Sequence, residues 1–117
     1  MVYEVLQALI TDIELLPIVG AQAQALPFAT YQVIDSEPND DMYETNDFEH
    51  RVQINVYAKT YIEVQSLCGS IYDKLQRKSG IIGGVDVASI RLIDERDSNI
   101  EDRRVSGKQL DYKIIIR

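Results

Sequence analysis

The chain has 117 residues, 45% of them hydrophobic and 26% charged, with three prolines; such a chain buries a core, which excludes disorder along its length. Nineteen acids against twelve bases give a net charge of −7, which argues against tight binding of a nucleic-acid backbone, where neutralisation of phosphate by Lys and Arg dominates affinity. No apolar run reaches the roughly 20 residues of a membrane span, and the opening Met1-Val-Tyr-Glu lacks the basic start and small-residue cleavage site of a signal peptide.

The length predicts one domain over residues 1–117. The single cysteine, Cys68, has no internal disulfide partner, which fits a reducing site of synthesis. Charge is unevenly placed. Residues 1–50 hold ten acids and no lysine or arginine, whereas the chain from Arg51 onward carries nine acids and all twelve bases. Asymmetry of this kind points to an interaction surface.

In chain order, Val2, Val5, Leu6, Leu9, Ile13 and Leu16 recur at spacings of three and four, predicting a helix from about Tyr3 to Leu16 that Pro17 stops. Ile18 to Ala25 reads as a loop, and Phe28 to Ile34 as a strand rich in aromatic and β-branched residues. Residues 35–47 hold six acids, Asp35, Glu37, Asp40, Asp41, Glu44 and Asp47, with no base and a proline, predicting a solvated loop that acts as a flexible arm. Phe48 to Ala58 alternates strictly, with His50, Val52, Ile54 and Val56 on one face and Arg51, Gln53 and Asn55 on the other. That is a strand of a sheet with one covered face.

Thr60 followed by Glu63 forms a capping box opening a second helix, whose apolar stripe is Val64, Leu67, Cys68, Ile71 and Leu75. Ser79-Gly80 is expected to end it. Gly83-Gly84 leads into a third strand, about Val85 to Glu95, and a polar turn from Arg96 to Arg103 into a fourth, about Arg104 to Arg117. The predicted order is α-β-β-α-β-β: an α+β two-layer sandwich with two helices on one face of a mostly antiparallel four-stranded sheet.

The residues assemble no reaction centre. His50, the only histidine, lies on the apolar face of its strand, and Cys68 on the buried stripe of its helix, where free cysteine serves as a small hydrophobe. The glycines from Gly80 to Gly84 are followed by Val85-Asp86 rather than by Lys-Ser/Thr and a helix, so they are no phosphate loop. The acidic segment lacks the central glycine and spaced glutamate of a calcium loop. No catalytic, cofactor or metal residues are assigned, and neither enzyme activity nor a cofactor is expected.

Three stretches in this order resemble the tail completion family of long-tailed bacteriophages and prophages, the tail terminator or tail-to-head joining proteins. They are Leu26-Pro-Phe-Ala-Thr-Tyr-Gln-Val33, Arg51-Val-Gln-Ile-Asn-Val-Tyr-Ala-Lys-Thr-Tyr-Ile-Glu-Val64, and Gly83 to Asp97 followed by a final strand. One departure is that Gly20 to Ala25 shows no strand pattern. The resemblance implies a structural virion protein, made in the host cytoplasm and sited at the head-proximal end of the tail. It further implies a homo-oligomer, a hexameric ring on the tail tube that meets the head-side connector or stopper protein and lets DNA through the lumen without specific binding. No membrane partner is implied.

Charge asymmetry then predicts that the acids Asp35, Glu37, Asp40, Asp41, Glu44 and Asp47 meet bases of a neighbouring subunit or the tube, with Arg103, Arg104 and Lys108 favoured. Two other readings remain at this point. One is a small ferredoxin-like ligand-binding or enzymatic module, since moving the first ferredoxin-like strand to the end gives the same order. The other is an acidic inhibitor of a nucleic-acid-binding protein.

Overall fold

The computed structural model describes residues 2–11, 13–17, 26–38, 48–97 and 105–117. Its elements are α1 (Val2–Leu9), β1 (Glu14–Pro17), β2 (Phe28–Pro38), β3 (Phe48–Ala58), α2 (Tyr61–Leu75), β4 (Gly80–Ile82), β5 (Val85–Asp97) and β6 (Ser106–Ile116). The strands form one six-stranded sheet in the order β1-β2-β3-β6-β5-β4. β1 runs parallel to β2 and every other pairing is antiparallel. The sheet is therefore mixed, and it curls into a half-barrel around two helices. This corrects the expected four-stranded sheet and its α-β-β-α-β-β order.

Each difference has a local cause. The first helix ends at Leu9, not Leu16. Its stripe of Val2, Val5, Leu6 and Ile10 is buried, but the β-branched Thr11, a poor helix former, follows it. Ile13 and Leu15 then bury with a period of two, and Glu14–Pro17 pairs with Phe28–Tyr31 as β1. Asp35–Pro38, expected in a loop, prolongs β2 opposite Arg51–Phe48 after a bulge at Ile34. An edge strand tolerates charge and a terminal proline, and no described strand flanks the far side of Gln32–Pro38. The rest of the acidic segment, 39–47, the whole predicted loop 18–25, and residues 98–104, which hold most of the predicted turn and the start of the predicted fourth strand, lie outside the described residues.

β3 has the bounds its alternation predicts. α2 begins as expected, with the Thr60 hydroxyl accepting from the Glu63 amide at 3.2 Å. It stops at Leu75, before Ser79-Gly80, because Arg77 takes a left-handed turn (φ 61°). The Arg77 amide then donates to the Ile90 carbonyl at 2.9 Å, and Gln76 Oε1 accepts from the Leu92 amide at 3.0 Å. Both bonds tie the helix end to β5. The short β4 and Val85 flank the turn Gly83-Gly84, where both residues have positive φ (57° and 80°), the geometry of a tight hairpin that glycine supplies without strain.

Both helices feed one core. Val5, Leu6, Val64, Ile71 and Leu75 pack with Val52, Ile54, Val56, Ile90, Leu110, Tyr112 and Ile114 of the sheet, all essentially inaccessible to water. The opposite sheet face carries Arg51, Gln53, Asn55, Asp111 and Lys113, the other parity of the same strands. Among the described residues no helix is long and apolar enough to cross a membrane.

Candidate functional site

Strand register places charged residues in rows across the open face. Asp35 of β2 lies opposite Arg51 of β3, Arg51 opposite Lys113 of β6, and Lys113 opposite Arg91 of β5. Three cations thus stand side by side on three adjacent strands. Like charges directly opposite each other destabilise a sheet. A cleft of about 390 Å³ lies over this row, lined also by Glu49, Leu92 and Ile93.

Neighbouring acids neutralise part of the row. Lys113 Nζ is 3.0 Å from Glu49, and an Arg51 nitrogen is 3.7 Å from the buried Asp111. Arg91 is exposed and makes no ion pair with any described residue. One row further along, Asp94 stands opposite Asp111, and the Arg96 guanidinium reaches both, at 3.5 and 3.9 Å. Gln109, with its amide oriented to suit its neighbours, accepts from Gln53 at 2.6 Å and from Arg96 Nε at 3.2 Å.

The covered face holds the groups that sequence reading weighed for chemistry. His50 is 8% exposed, and its Nδ1 lies 2.7 Å from the Ser36 hydroxyl, while its Nε2 is buried without a partner. Burial lowers the His50 pKa from its ordinary value. Its ring borders an open groove with Val2, Tyr3, Tyr31 and Val33. Cys68 borders a different groove, with Tyr72, Glu95 and Lys108, and burial pushes its thiol up to about 11. The two side chains that a thiol–imidazole pair would need are therefore not brought together. Tyr112 is wholly buried, and burial raises its hydroxyl pKa too. Among the described residues no three His, Cys, Asp or Glu side chains cluster as metal ligands.

The expected interface residues fall in three groups. Asp35 is exposed on β2 and has no ion pair with a described residue; Glu37 is on the same strand, backbone-paired opposite Glu49. Asp40, Asp41, Glu44, Asp47, Arg103 and Arg104 lie outside the described residues. Lys108 is 12% exposed and forms a 2.7 Å ion pair with Glu95 within the protomer, a bond that raises its pKa. The parity of Leu110, Tyr112 and Ile114, all buried, already puts Lys108 on the covered side. The basic row of Arg51, Lys113 and Arg91 was missed. Only the pairing of β3, β6 and β5 brings it together.

The sheet thus presents one helix-covered face and one charge-laced face, with His50 and Cys68 in separate grooves of the covered side. The chain belongs to the family described as Tail completion protein gp17, whose model matches residues 4–117, and is thus a bacteriophage tail structural protein. Its fold is similar to that of a chain in a structure titled "Virion of native gene transfer agent (GTA) particle". The likeness has a TM-score of 0.71 at 13% identity, covering 96% of this chain and 84% of that one. No curated protein sequence matches this one.

Proposed function

We propose that this protein is a non-enzymatic virion component that closes the finished tail tube as a hexameric ring and joins it to the head-side connector or stopper, leaving a lumen for DNA. Family membership over residues 4–117 carries the reading. The fold it shares with a chain of a gene transfer agent virion supports it, and so do the dispersed titratable groups of the covered face. In a ring of more than two subunits each subunit offers two different, complementary patches. Acids before Arg51 supply one patch, and bases after it the other. Excess negative charge on the lumen repels DNA phosphate and lets the duplex slide.

The test is to delete the gene from its phage or prophage and examine particles by electron microscopy. Separate full heads and unjoined tails of irregular length are expected, and added purified protein should label one end of the tail tube as a ring. Normal joined particles from the deletion strain, or binding along the tube wall, would overturn the reading.

A further inference from the structure

We infer that the transverse row of Arg51, Lys113 and Arg91 is the seat for an acidic segment of a second copy of this chain, with Arg91 making the principal contact. The inference rests on the ring reading above and names which bases that ring uses. Strand pairing sets these three cations directly opposite one another on β3, β6 and β5, an arrangement that costs the isolated protomer stability. In the next row the like-charged pair Asp94 and Asp111 is bridged by Arg96 at 3.5 and 3.9 Å, whereas no ion pair among the described residues bridges Lys113 to Arg91.

The row is also accessible. A cleft of about 390 Å³ opens above it. Two of the cations are partly neutralised from the side, Lys113 by Glu49 at 3.0 Å and Arg51 by Asp111 at 3.7 Å. Arg91 has no ion pair among the described residues, so its five donors, fixed in a planar fork that matches a carboxylate, await one.

Charge complementarity selects the occupant. Residues 39–47 carry Asp40, Asp41, Glu44 and Asp47 and no base, and no base occurs anywhere before Arg51. Lys108 does not compete for the segment, because Glu95 already holds it on the opposite face. The contact is heterologous, acid patch to base row, as a closed ring requires.

The experiment is a charge swap read by sedimentation and by ring formation on purified tail tubes. Arg91→Glu should weaken subunit association roughly five- to tenfold, since a partly exposed pair contributes on the order of 1 kcal/mol. Asp40→Lys with Asp41→Lys should do the same, and the triple variant should recover most of the loss. A synthetic peptide of residues 38–48 should shift the Arg91 and Lys113 resonances of the full chain, and its Asn/Gln version should not. If the wild type forms rings and Arg91→Glu forms them equally well, the seat is elsewhere while the ring stands. If the wild type forms no ring on tubes, the ring reading falls, and peptide shifts absent from Arg91 then remove the seat independently.

Discussion

The Ser36 hydroxyl and His50 Nδ1 lie 2.7 Å apart across the β2–β3 pair, in a segment whose composition predicts a loop. The bulge at Ile34 makes the contact possible. It shifts the register so that Ser36, not Asp35, stands opposite His50 on the covered face.

Ser36→Ala should therefore destabilise the fold by about 1 kcal/mol, because it leaves a buried imidazole nitrogen without its partner. His50 also gives stability a pH dependence of known sign. Its folded pKa lies below its ordinary value of 6.5 through burial, so its contribution is present above that value. It is lost as pH falls through the folded pKa. Urea midpoints should drop from pH 7 to pH 5 in the wild type and drop less in a folded His50→Gln variant. Equal drops in both would assign the acid sensitivity to other groups.

Cys68 should behave as a core side chain and not as a nucleophile. With its thiol pushed up to about 11 by burial, it remains protonated at neutral pH, and the thiolate is the reactive form. Alkylation by iodoacetamide should be slow at pH 8 in the native protein and become fast on unfolding. Cys68→Ala should cost about 1 kcal/mol or more through lost packing, with subunit association unchanged once stability is matched. Rapid native-state labelling at pH 8 would contradict the burial argument.

Legibility in the sequence followed the length and regularity of each signal. β3 could be bounded to the residue because Val52, Ile54, Val56 and Ala58 alternate with polar neighbours, and the start of α2 because its cap and stripe agree, but not its end, which comes at Leu75 before the expected Ser79-Gly80. β1 was hidden because Ile13 and Leu16 sit at spacings that also extend the α1 stripe, and only pairing with Phe28–Tyr31 decides between the two periods. β4 spans three residues, too few for any period to register. Asp35 to Pro38 has the composition of a loop, yet backbone pairing with β3 outweighs it. The site was legible in part. The imbalance of charge about Arg51 can be read from the chain, but which bases meet depends on the register of three strands separated by up to about sixty positions.

The hairpin turn at Gly83-Gly84 separates two effects that glycine substitutions usually mix. Both residues have positive φ. At Gly84 a new Cβ meets nothing within 4 Å, so Gly84→Ala should cost only backbone strain, about 1 kcal/mol. At Gly83 the Cβ would lie 2.8 Å from the carbonyl carbon of Glu4, a backbone atom of α1. Gly83→Ala must therefore push α1 off the hairpin as well, and should cost about 3 kcal/mol. Denaturant midpoints would check the ranking. Similar losses at the two sites would mean that α1 does not bear on the turn.

Arg96 offers the sharpest test of the open-face charge lattice. Asp94 and Asp111 stand opposite each other on β5 and β6, and like charges so placed repel. Asp111 is 4% exposed, which strengthens its electrostatic interactions relative to a surface carboxylate. Arg96 reaches Asp94 at 3.5 Å and Asp111 at 3.9 Å. Each contact is long and about half exposed on the arginine side, so each alone is worth little. The value of Arg96 lies in screening one acid from the other. Arg96→Gln should cost about 1 kcal/mol, and most of that cost should vanish in an Asp94→Asn background, where the repulsion is already gone. The double-mutant cycle should give a coupling of about 0.5–1 kcal/mol that shrinks in 1 M salt. A coupling near zero would mean that Arg51, 3.7 Å from the same Asp111 oxygen, suffices to hold that carboxylate.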